Sequence, residues 1–422
     1  MTFPTAASES HSLAARWEER VMRAAHPLAY PLLRSVRSPV RRLPGVGVVV
    51  TDATLLRSVL MNTAGFTKTG PGSSSDLWTP VLGPSLLLNM EGEEHLALRR
   101  KLAPIFAPSY VDGLVAASLG DAARQLTASL RRGDAVDMVT VARTCASTMI
   151  TQLVGLPPRT GNGSPAQLER QPVSDQRADA PPAEGADADA AIFERVSSIT
   201  GFVRLSRPRL TEAQVAFARS VVADLTSNAR TAYADGDEST VPGRMRALGL
   251  SEDEALGAVA AFVLTGTETL VSYIPRLVAL LADSGWLARI AADRSLLEAA
   301  IAEGLRVTTP SPVMVRSAAS DSSINGVRVN EGDRVILATF AANRALGPFD
   351  PARNPSTSLK QLWFGAGSHF CLGAPLAMAQ IRVIVSALLD GMPTEGNLAV
   401  SSRSPARHVL IPSYRSLVVK AV

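Results

Sequence analysis

The stretch F-G-A-G-S-H-F-C-L-G-A-P-L-A, residues 364–377, decides how this sequence is interpreted. Its cysteine, Cys371, follows a glycine-rich loop and stands directly before a helical pattern that begins near Ala374. N–H groups of the loop and of the helix N-terminus would stabilise a thiolate at this position. Gly367 and Gly373 would let the backbone approach something flat and bulky. The stretch predicts a functional thiolate, with a buried, inert cysteine as the alternative.

Two other kinds of site do not fit this stretch. A dinucleotide-binding G-x-G-x-x-G loop needs a third glycine where Phe370 stands. A zinc site needs further cysteine or histidine ligands nearby, and the chain has 2 cysteines in all, which also excludes a disulfide scaffold. The other cysteine, Cys145, lies on a helical pattern and is predicted to be a small buried side chain.

Composition and charge limit the class of protein. Of the 422 residues, 46% are hydrophobic and 19% are charged, so the chain is neither disordered nor a solvating tail. The net charge of +4 is dispersed and aromatic residues make up only 5%, so no nucleic-acid partner is predicted. We find no secretory signal, no transit peptide and no run of about 18 apolar residues. We therefore predict a cytoplasmic protein with no membrane span.

Outside the cysteine stretch the sequence is mostly helical, and its clearest strand patterns come after residue 313. This separation argues against a doubly wound fold and predicts a mainly α protein with a smaller, segregated β region. We predict one domain over residues 1–422, with an N-terminal helical extension over residues 1–44.

Two stretches are predicted to be loops. Residues 157–190 hold 6 prolines, 7 alanines and 3 glycines, and such a segment cannot bury enough surface to offset its chain entropy. We predict a low-complexity, disordered loop there, within the single domain. Residues 67–90 are rich in Gly, Ser, Pro and Thr and are predicted to form a long surface loop.

The longest helix is predicted to open at Ser251, and its centre carries the sequence T-G-T-E-T at residues 265–269. A glycine inside a helix costs about 1 kcal/mol relative to alanine. Threonine hydroxyls compete for the helix carbonyls. A helix weakened in this way indicates a function at this point, with a solvated glutamate and back-bonded threonines as the alternative.

The cysteine stretch resembles the signature of the cytochrome P450 family of haem-thiolate monooxygenases, F-x-x-G-x-[RH]-x-C-x-G-x-x-[LI]-A. The fixed positions are met by Phe364, Gly367, His369, Cys371, Gly373, Leu376 and Ala377. The resemblance implies the P450 fold, a single triangular-prism-like domain that encloses haem b (iron protoporphyrin IX). It also implies that Cys371 is the metal ligand and that Phe364 and Gly367 belong to the cofactor-binding loop. A thiolate ligand favours O–O cleavage.

Two helical motifs extend the resemblance. Glu303-Gly304-Leu305-Arg306 matches the E-x-x-R that holds the loop under the haem, and the third partner of that pair maps onto Arg353. The stretch between Asn343-Arg344 and Phe349-Asp350 is shorter than is usual in the family by about half a dozen residues. Residues 265–269 match [AG]-G-x-[DE]-T except at Thr265. By resemblance Thr269 and Glu268 are catalytic, Thr269 hydrogen-bonding dioxygen and Glu268 relaying protons from solvent.

Four further residues match the positions that bind the haem propionates in this family. These are His95 and Arg99 in H-L-A-L-R, Arg316 in R-S-A-A-S-D, and His369. Propionates are carboxylates, which favour arginine forks and histidine donors.

The resemblance implies insertion of one atom of dioxygen into an apolar, medium-sized substrate, by hydroxylation or epoxidation. The substrate would be of secondary-metabolite, terpenoid or steroid type. Atypical chemistry (peroxide-driven oxidation, C–C or phenol coupling) and a non-catalytic haem-binding protein are the alternatives. The chain shows no flavin or iron–sulfur pattern, so a ferredoxin and a ferredoxin reductase are expected to supply electrons to a monomer.

Overall fold

Helices form most of the structure, a computed structural model that describes residues 6–84, 86–156, 186–203, 209–393 and 396–422. The helices are α1 Ala6–Ala25, α2 Ala29–Ser35, α3 Ala53–Met61, α4 Ser74–Leu82, α5 Gly92–Leu102, α6 Pro108–Arg131, α7 Met138–Leu153, α8 Ala186–Phe202, α9 Glu212–Asp235, α10 Val241–Ala247, α11 Glu252–Asp283, α12 Trp286–Ala292, α13 Leu297–Val307, α14 Thr339–Arg344 and α15 Ala374–Asp390. The prediction of a mainly α protein with a smaller β region is confirmed.

Within the described residues the strands form three small sheets. They are β1 Val40–Leu43, β2 Gly47–Val50, β3 Phe66–Thr67, β4 Val136–Asp137, β5 Met314–Ala318, β6 Ser322–Ile324, β7 Val327–Val329, β8 Arg334–Leu337, β9 Leu398–Pro405 and β10 Tyr414–Ala421. The largest sheet has the order β1-β2-β8-β5-β3, the second is β4-β10-β9, and the third is the β6-β7 hairpin. In the largest sheet Thr67 pairs with Ser317, which places the residue after β3 beside Arg316 on β5.

Helix α11 is the central element of the fold. The predicted start is confirmed, because Ser251 and Glu254 form a capping box with reciprocal side-chain to backbone hydrogen bonds. The helix packs against α7, α9, α1 and α13. By length and composition α11 could cross a membrane, but 67% of its apolar window is buried inside the protein. That burial is typical of a core helix.

The stretch 67–90 is not simply a surface loop, so that prediction was wrong. Helix α4 lies within it and packs against α9. Its apolar residues, including the buried Trp78 and Val81, are spaced so that one helix face can be covered. The surrounding Gly, Ser and Thr residues hid this pattern in the sequence.

The described part of the N-terminal segment, residues 6–44, contributes helices α1 and α2 and the strand β1, which pairs with β2 in the largest sheet. The carboxylate of Glu18 on α1 is buried and forms ion pairs with Arg276 of α11 and Arg344 of α14. We therefore propose that residues 1–44 belong to the same domain as the rest of the chain. The predicted loop 157–190 lies outside the described residues up to 185, and α8 begins at Ala186.

The predicted E-x-x-R pair is fully buried on α13. Arg306 Nε donates to Glu303 Oε2 at 2.8 Å, and both side chains are 0% exposed. The guanidinium also donates to the carbonyls of Asn343 (2.7 Å) and Pro348 (2.8 Å), while Glu303 Oε1 accepts the Asp350 N–H at 3.0 Å. Helix α13 further contacts the turns 355–359 and 362–364, which lead into the cysteine loop.

Arg353 is not the third partner of this pair, so that expectation was wrong. Its side chain is 74% exposed, and its ion-pair partner is Asp350, with Nε 3.9 Å from Oδ2. In this short loop, backbone groups satisfy the buried pair instead of a second arginine. A fixed backbone carbonyl loses less conformational entropy than a long side chain would in the same place.

Candidate active site

A cavity of about 340 Å³ lies between α11 and α15, and Cys371 forms part of its wall. This volume is within the usual range for small-molecule and cofactor sites. The wall is mostly apolar, with Ala261 and Thr265 of α11 on one side and Leu376 and Ala377 of α15 on the other.

Cys371 lies deep in the protein, and its thiol is exposed to this cavity. Its N–H donates to the Phe364 carbonyl at 2.9 Å, which closes the loop. Burial raises the pKa of the Cys371 thiol, and the N–H groups of Gly373 and Ala374 and the Arg99 charge oppose that rise. The predicted amide environment is therefore present. In the protein alone burial has the larger effect on the thiol pKa, and a bound metal cation would act in the opposite direction and favour the thiolate.

Phe364, Gly367 and Gly373 of the cysteine loop have different structural roles. Phe364 and Gly373 line the cavity, as expected for a cofactor-binding loop. Gly367 is not part of the cavity wall. Its φ is +68°, and a Cβ there would lie 3.0 Å from the Leu60 carbonyl oxygen and 3.3 Å from the Met61 Cα. The glycine is required where the loop passes the end of α3, rather than at the cavity.

The predicted propionate-binding residues come together at one end of the cavity. His95, Arg99 and His369 line it, and the rings of the two histidines stack with centroids 4.3 Å apart. Arg99 also donates to the Phe370 carbonyl at 2.8 Å. Arg316 is buried close by, and its charge is among the influences that lower the pKa of His369.

Two residues of this region were missed by the sequence reasoning. Lys68, directly after β3, lines the cavity, and Glu91, directly before α5, lies 3.6 Å from His369 (Oε1 to Nε2). No local motif marks either residue, because the pairing of β3 with β5 brings Lys68 here and the Lys68 N–H then bonds the Glu91 carboxylate. We use "cationic cluster" for Lys68, His95, Arg99, Arg316 and His369.

The charged forms of the cluster are destabilised in the protein alone. Burial, followed by the Arg316 charge, lowers the pKa of Lys68 to about 7. Burial likewise lowers the pKa of Arg316 to about 10 and that of His95 to about 4, with the His369 charge as the second cause for His95. A bound anion would oppose all of these shifts.

The cationic cluster and Cys371 match the groups that a haem presents, its propionates and its iron. His95 Nε2, His369 Nε2 and Arg316 Nε are buried nitrogens without a hydrogen-bond partner. Buried donors of this kind are costly unless a partner is supplied, and carboxylates match them. A thiol in the same cavity wall can ligate iron. No cluster of three or more metal-binding side chains is found in the part of the chain that the structure describes.

The two predicted catalytic residues of α11 point into different cavities. Thr269 and Thr265 line the large cavity, and the Thr269 hydroxyl donates to the Gly266 carbonyl at 3.0 Å. Glu268 instead lines a second cavity of about 150 Å³, together with Arg143, Ser197 and residues of the C-terminal hairpin. Burial raises the pKa of Glu268, while the Ser197 hydrogen bond and the Arg143 charge act in the opposite direction. Its Oε1 has no hydrogen-bond partner.

Comparison with known proteins gives consistent matches. The family model for Cytochrome P450 matches residues 290–391, a range that includes the α13 ion pair and the cysteine loop. The erythromycin C-12 hydroxylase of Saccharopolyspora erythraea is 28% identical over 79% of this chain and 79% of its own length. The mycinamicin IV hydroxylase/epoxidase of Micromonospora griseorubida is 28% identical over 73% of this chain and 72% of its own.

Among solved structures, cytochrome P450 260B1 of Sorangium cellulosum So Ce56 has the same fold. It superposes with a TM-score of 0.73 at 22% identity, covering 95% of this chain and 97% of the other. Fold, site and sequence matches together define a haem-dependent monooxygenase of bacterial type. The chain belongs to the cytochrome P450 family. It therefore takes an organic substrate, dioxygen and electrons from a redox partner.

Proposed function

We propose that this protein hydroxylates or epoxidises an apolar, medium-sized substrate of the secondary-metabolite class. The wall of the large cavity carries this proposal. On the side formed by α11 and residues 310–314, the described lining residues are apolar or hydroxylated, and none is charged. Such a wall binds an apolar skeleton and offers a few hydroxyl groups for orientation. The two hydroxylases with related sequences, which by name act on erythromycin and mycinamicin, support a macrolide-like or similar compound.

A spectral titration of the purified holoenzyme tests this proposal. We expect an apolar macrolactone, terpene or steroid to shift the haem from low to high spin, and to give an NADPH-dependent product with a surrogate redox chain. The matched carboxylate of the best ligand is the control and should bind more weakly, because the side of the wall formed by α11 and residues 310–314 offers it no cation. The proposal fails if the panel produces neither a spin shift nor a product.

We further propose that the cofactor is haem b, with Cys371 as its metal ligand and the cationic cluster holding its propionates. When bound, the haem supplies dioxygen activation, one oxygen atom entering the substrate and the other leaving as water. Phe364 and Gly373 would flank it from the cysteine loop. A ferredoxin and its reductase are the proposed electron donors, to a cytoplasmic monomer, since a net charge of +4 suits an acidic partner.

Arg316 provides a direct test of the propionate site. The Arg316→Gln variant should lose haem to apomyoglobin about tenfold faster or more than wild type. A hydrogen bond to a charged group contributes about 1.5–3 kcal/mol, and about 1.4 kcal/mol corresponds to a factor of ten. Arg328→Gln, at an exposed site on β7, is the matched control and should leave the rate unchanged. Equal rates for the two variants would contradict the assignment of Arg316.

In the proposed mechanism Glu268 and Thr269 move protons between the two cavities. Glu268 has a raised pKa and an Oε1 without a hydrogen-bond partner. These properties suit a group that takes up a proton in the second cavity and releases it toward the Thr269 side of α11. The Thr269 hydroxyl would exchange its bond to the Gly266 carbonyl for one to the oxygen substrate. This arrangement supports ordinary dioxygen activation over peroxide-driven chemistry.

We expect Thr269→Ala and Glu268→Gln to lower the yield of product per reductant consumed several-fold while reductant consumption continues. Uncoupling should follow because protons no longer arrive at the right oxygen atom. Product and NADPH consumption are measured in parallel with a surrogate ferredoxin chain. Asp253→Asn, at the exposed start of the same helix, is the control. An unchanged yield in both site variants would remove these residues from the proton path.

A further inference from the structure

Glu91 is a half-buried carboxylate placed beside the cationic cluster. Its Oε1 accepts the Lys68 N–H at 2.7 Å and lies 3.6 Å from His369 Nε2. Its Oε2 accepts a hydrogen bond from the Thr67 hydroxyl. The side chain therefore joins the segment after β3, the start of α5 and the cysteine loop. Its own exposed fraction is 19%.

Helix capping does not explain this carboxylate. Glu91 occupies the N-cap position of α5, but its side chain makes no capping hydrogen bond. The exposed Glu93 and Glu94 already place negative charge in the first turn, where it complements the helix dipole. The Glu91 oxygens contact Lys68 and His369 instead, so the carboxylate lies against two residues of the cavity wall without lining the cavity itself.

The positive charges of Lys68, Arg99 and Arg316 are balanced by two haem propionates only when the Glu91 carboxylate is counted as a third negative charge. Lys68 and Arg99 line the cavity and Arg316 is buried close by, and a bound anion, by opposing the lowered pKa of Lys68, would leave these three side chains with three positive charges. Two haem propionates would supply two negative charges, and Glu91 supplies the third. Burial raises the pKa of Glu91, but its contacts with His369, Thr67 and Lys68 lower it to about 2, so the carboxylate is ionised.

We propose that Glu91 is a fixed negative charge that lowers the reduction potential of the bound haem. The inference rests on the proposed function, in which the cationic cluster holds the haem propionates. Reduction from ferric to ferrous haem adds one electron, supplied by the redox partner. A half-buried negative charge nearby opposes that addition, because partly buried charges are screened less than exposed ones. Burial and nearby charge are established means by which proteins adjust haem potentials.

Redox potentiometry of the holoenzymes tests this proposal with a matched pair of variants. Glu91→Gln keeps an acceptor oxygen for the Lys68 N–H and removes the charge. We expect it to shift the ferric–ferrous equilibrium toward ferrous haem by about tenfold, which is about +59 mV for one electron. Glu94→Gln, three residues further on the exposed face of α5, should leave the potential at the wild-type value. Following the Soret band reports only haem-loaded molecules, so a partly loaded variant still gives a value.

Glu91→Asp separates charge from packing. It keeps the carboxylate, so its equilibrium should stay within about twofold of wild type, whereas a purely structural role predicts a disturbance in both variants. An unchanged potential in Glu91→Gln, or an equally large shift in Glu91→Asp, overturns the proposal. The Arg316→Gln measurement distinguishes failure of the Glu91 proposal from failure of the propionate site on which that proposal rests. If haem loss is accelerated there while Glu91→Gln keeps the wild-type potential, only the role of Glu91 fails. Unchanged haem loss in Arg316→Gln contradicts the propionate site itself.

Discussion

The Cys371→Ala variant should lose both the red-shifted Soret band of the reduced CO complex and all monooxygenase turnover above background. The Cys371 thiol lies in the cavity wall and can ligate iron, and it accepts hydrogen bonds from the N–H groups of Gly373 and Ala374. Without the thiolate, the electron density that favours O–O cleavage is missing. Difference spectra of the dithionite-reduced protein under CO, together with product analysis, measure the effect.

Cys145→Ala is the matched control for this experiment. Cys145 is fully buried on α7, away from the cavity wall, and burial raises its thiol pKa to about 12, as expected for an inert packing residue. Its replacement should leave the red-shifted band in place. Retention of that band by Cys371→Ala, or its loss in Cys145→Ala, would show that the cysteines have been assigned wrongly.

The Glu303→Ala variant should lower the free energy of unfolding by about 3–5 kcal/mol, because it leaves the buried Arg306 guanidinium without its counter-charge. The loss should also reduce haem incorporation, since α13 contacts the turns before the cysteine loop. Urea denaturation followed by circular dichroism, with the haem content of the purified protein, provides the measurement.

Two surface variants serve as controls for this loss. Glu298→Ala removes an ion pair with Arg382 whose side chains are 56% and 45% exposed, and should cost less than about 1 kcal/mol. Arg353→Ala should change stability by less than about 0.5 kcal/mol, because its side chain is exposed and remote from the buried pair. A cost for Glu303→Ala no larger than that for Glu298→Ala would mean that the buried pair does not stabilise the fold.

The sequence by itself determined the features whose residues are close together along the chain. The cysteine loop, the Glu303–Arg306 pair and the His95–Arg99 face could be predicted from spacing and motif resemblance. In each case the local geometry of a turn or a helix fixes the relative positions of the side chains. The central helix and its capping box followed from the same short-range rules.

Only the tertiary structure decided which distant segments meet. Lys68 joins the cavity wall because β3 pairs with β5, and Glu91 is held beside it by the hydrogen bond from the Lys68 N–H. Glu268 faces a second cavity because α7, α8 and the C-terminal hairpin pack against that side of α11. Arg353 points to solvent because backbone carbonyls of the shortened loop already satisfy Arg306. Side-chain direction and burial at these positions depend on how whole elements pack, and a local sequence pattern contains no information about that packing.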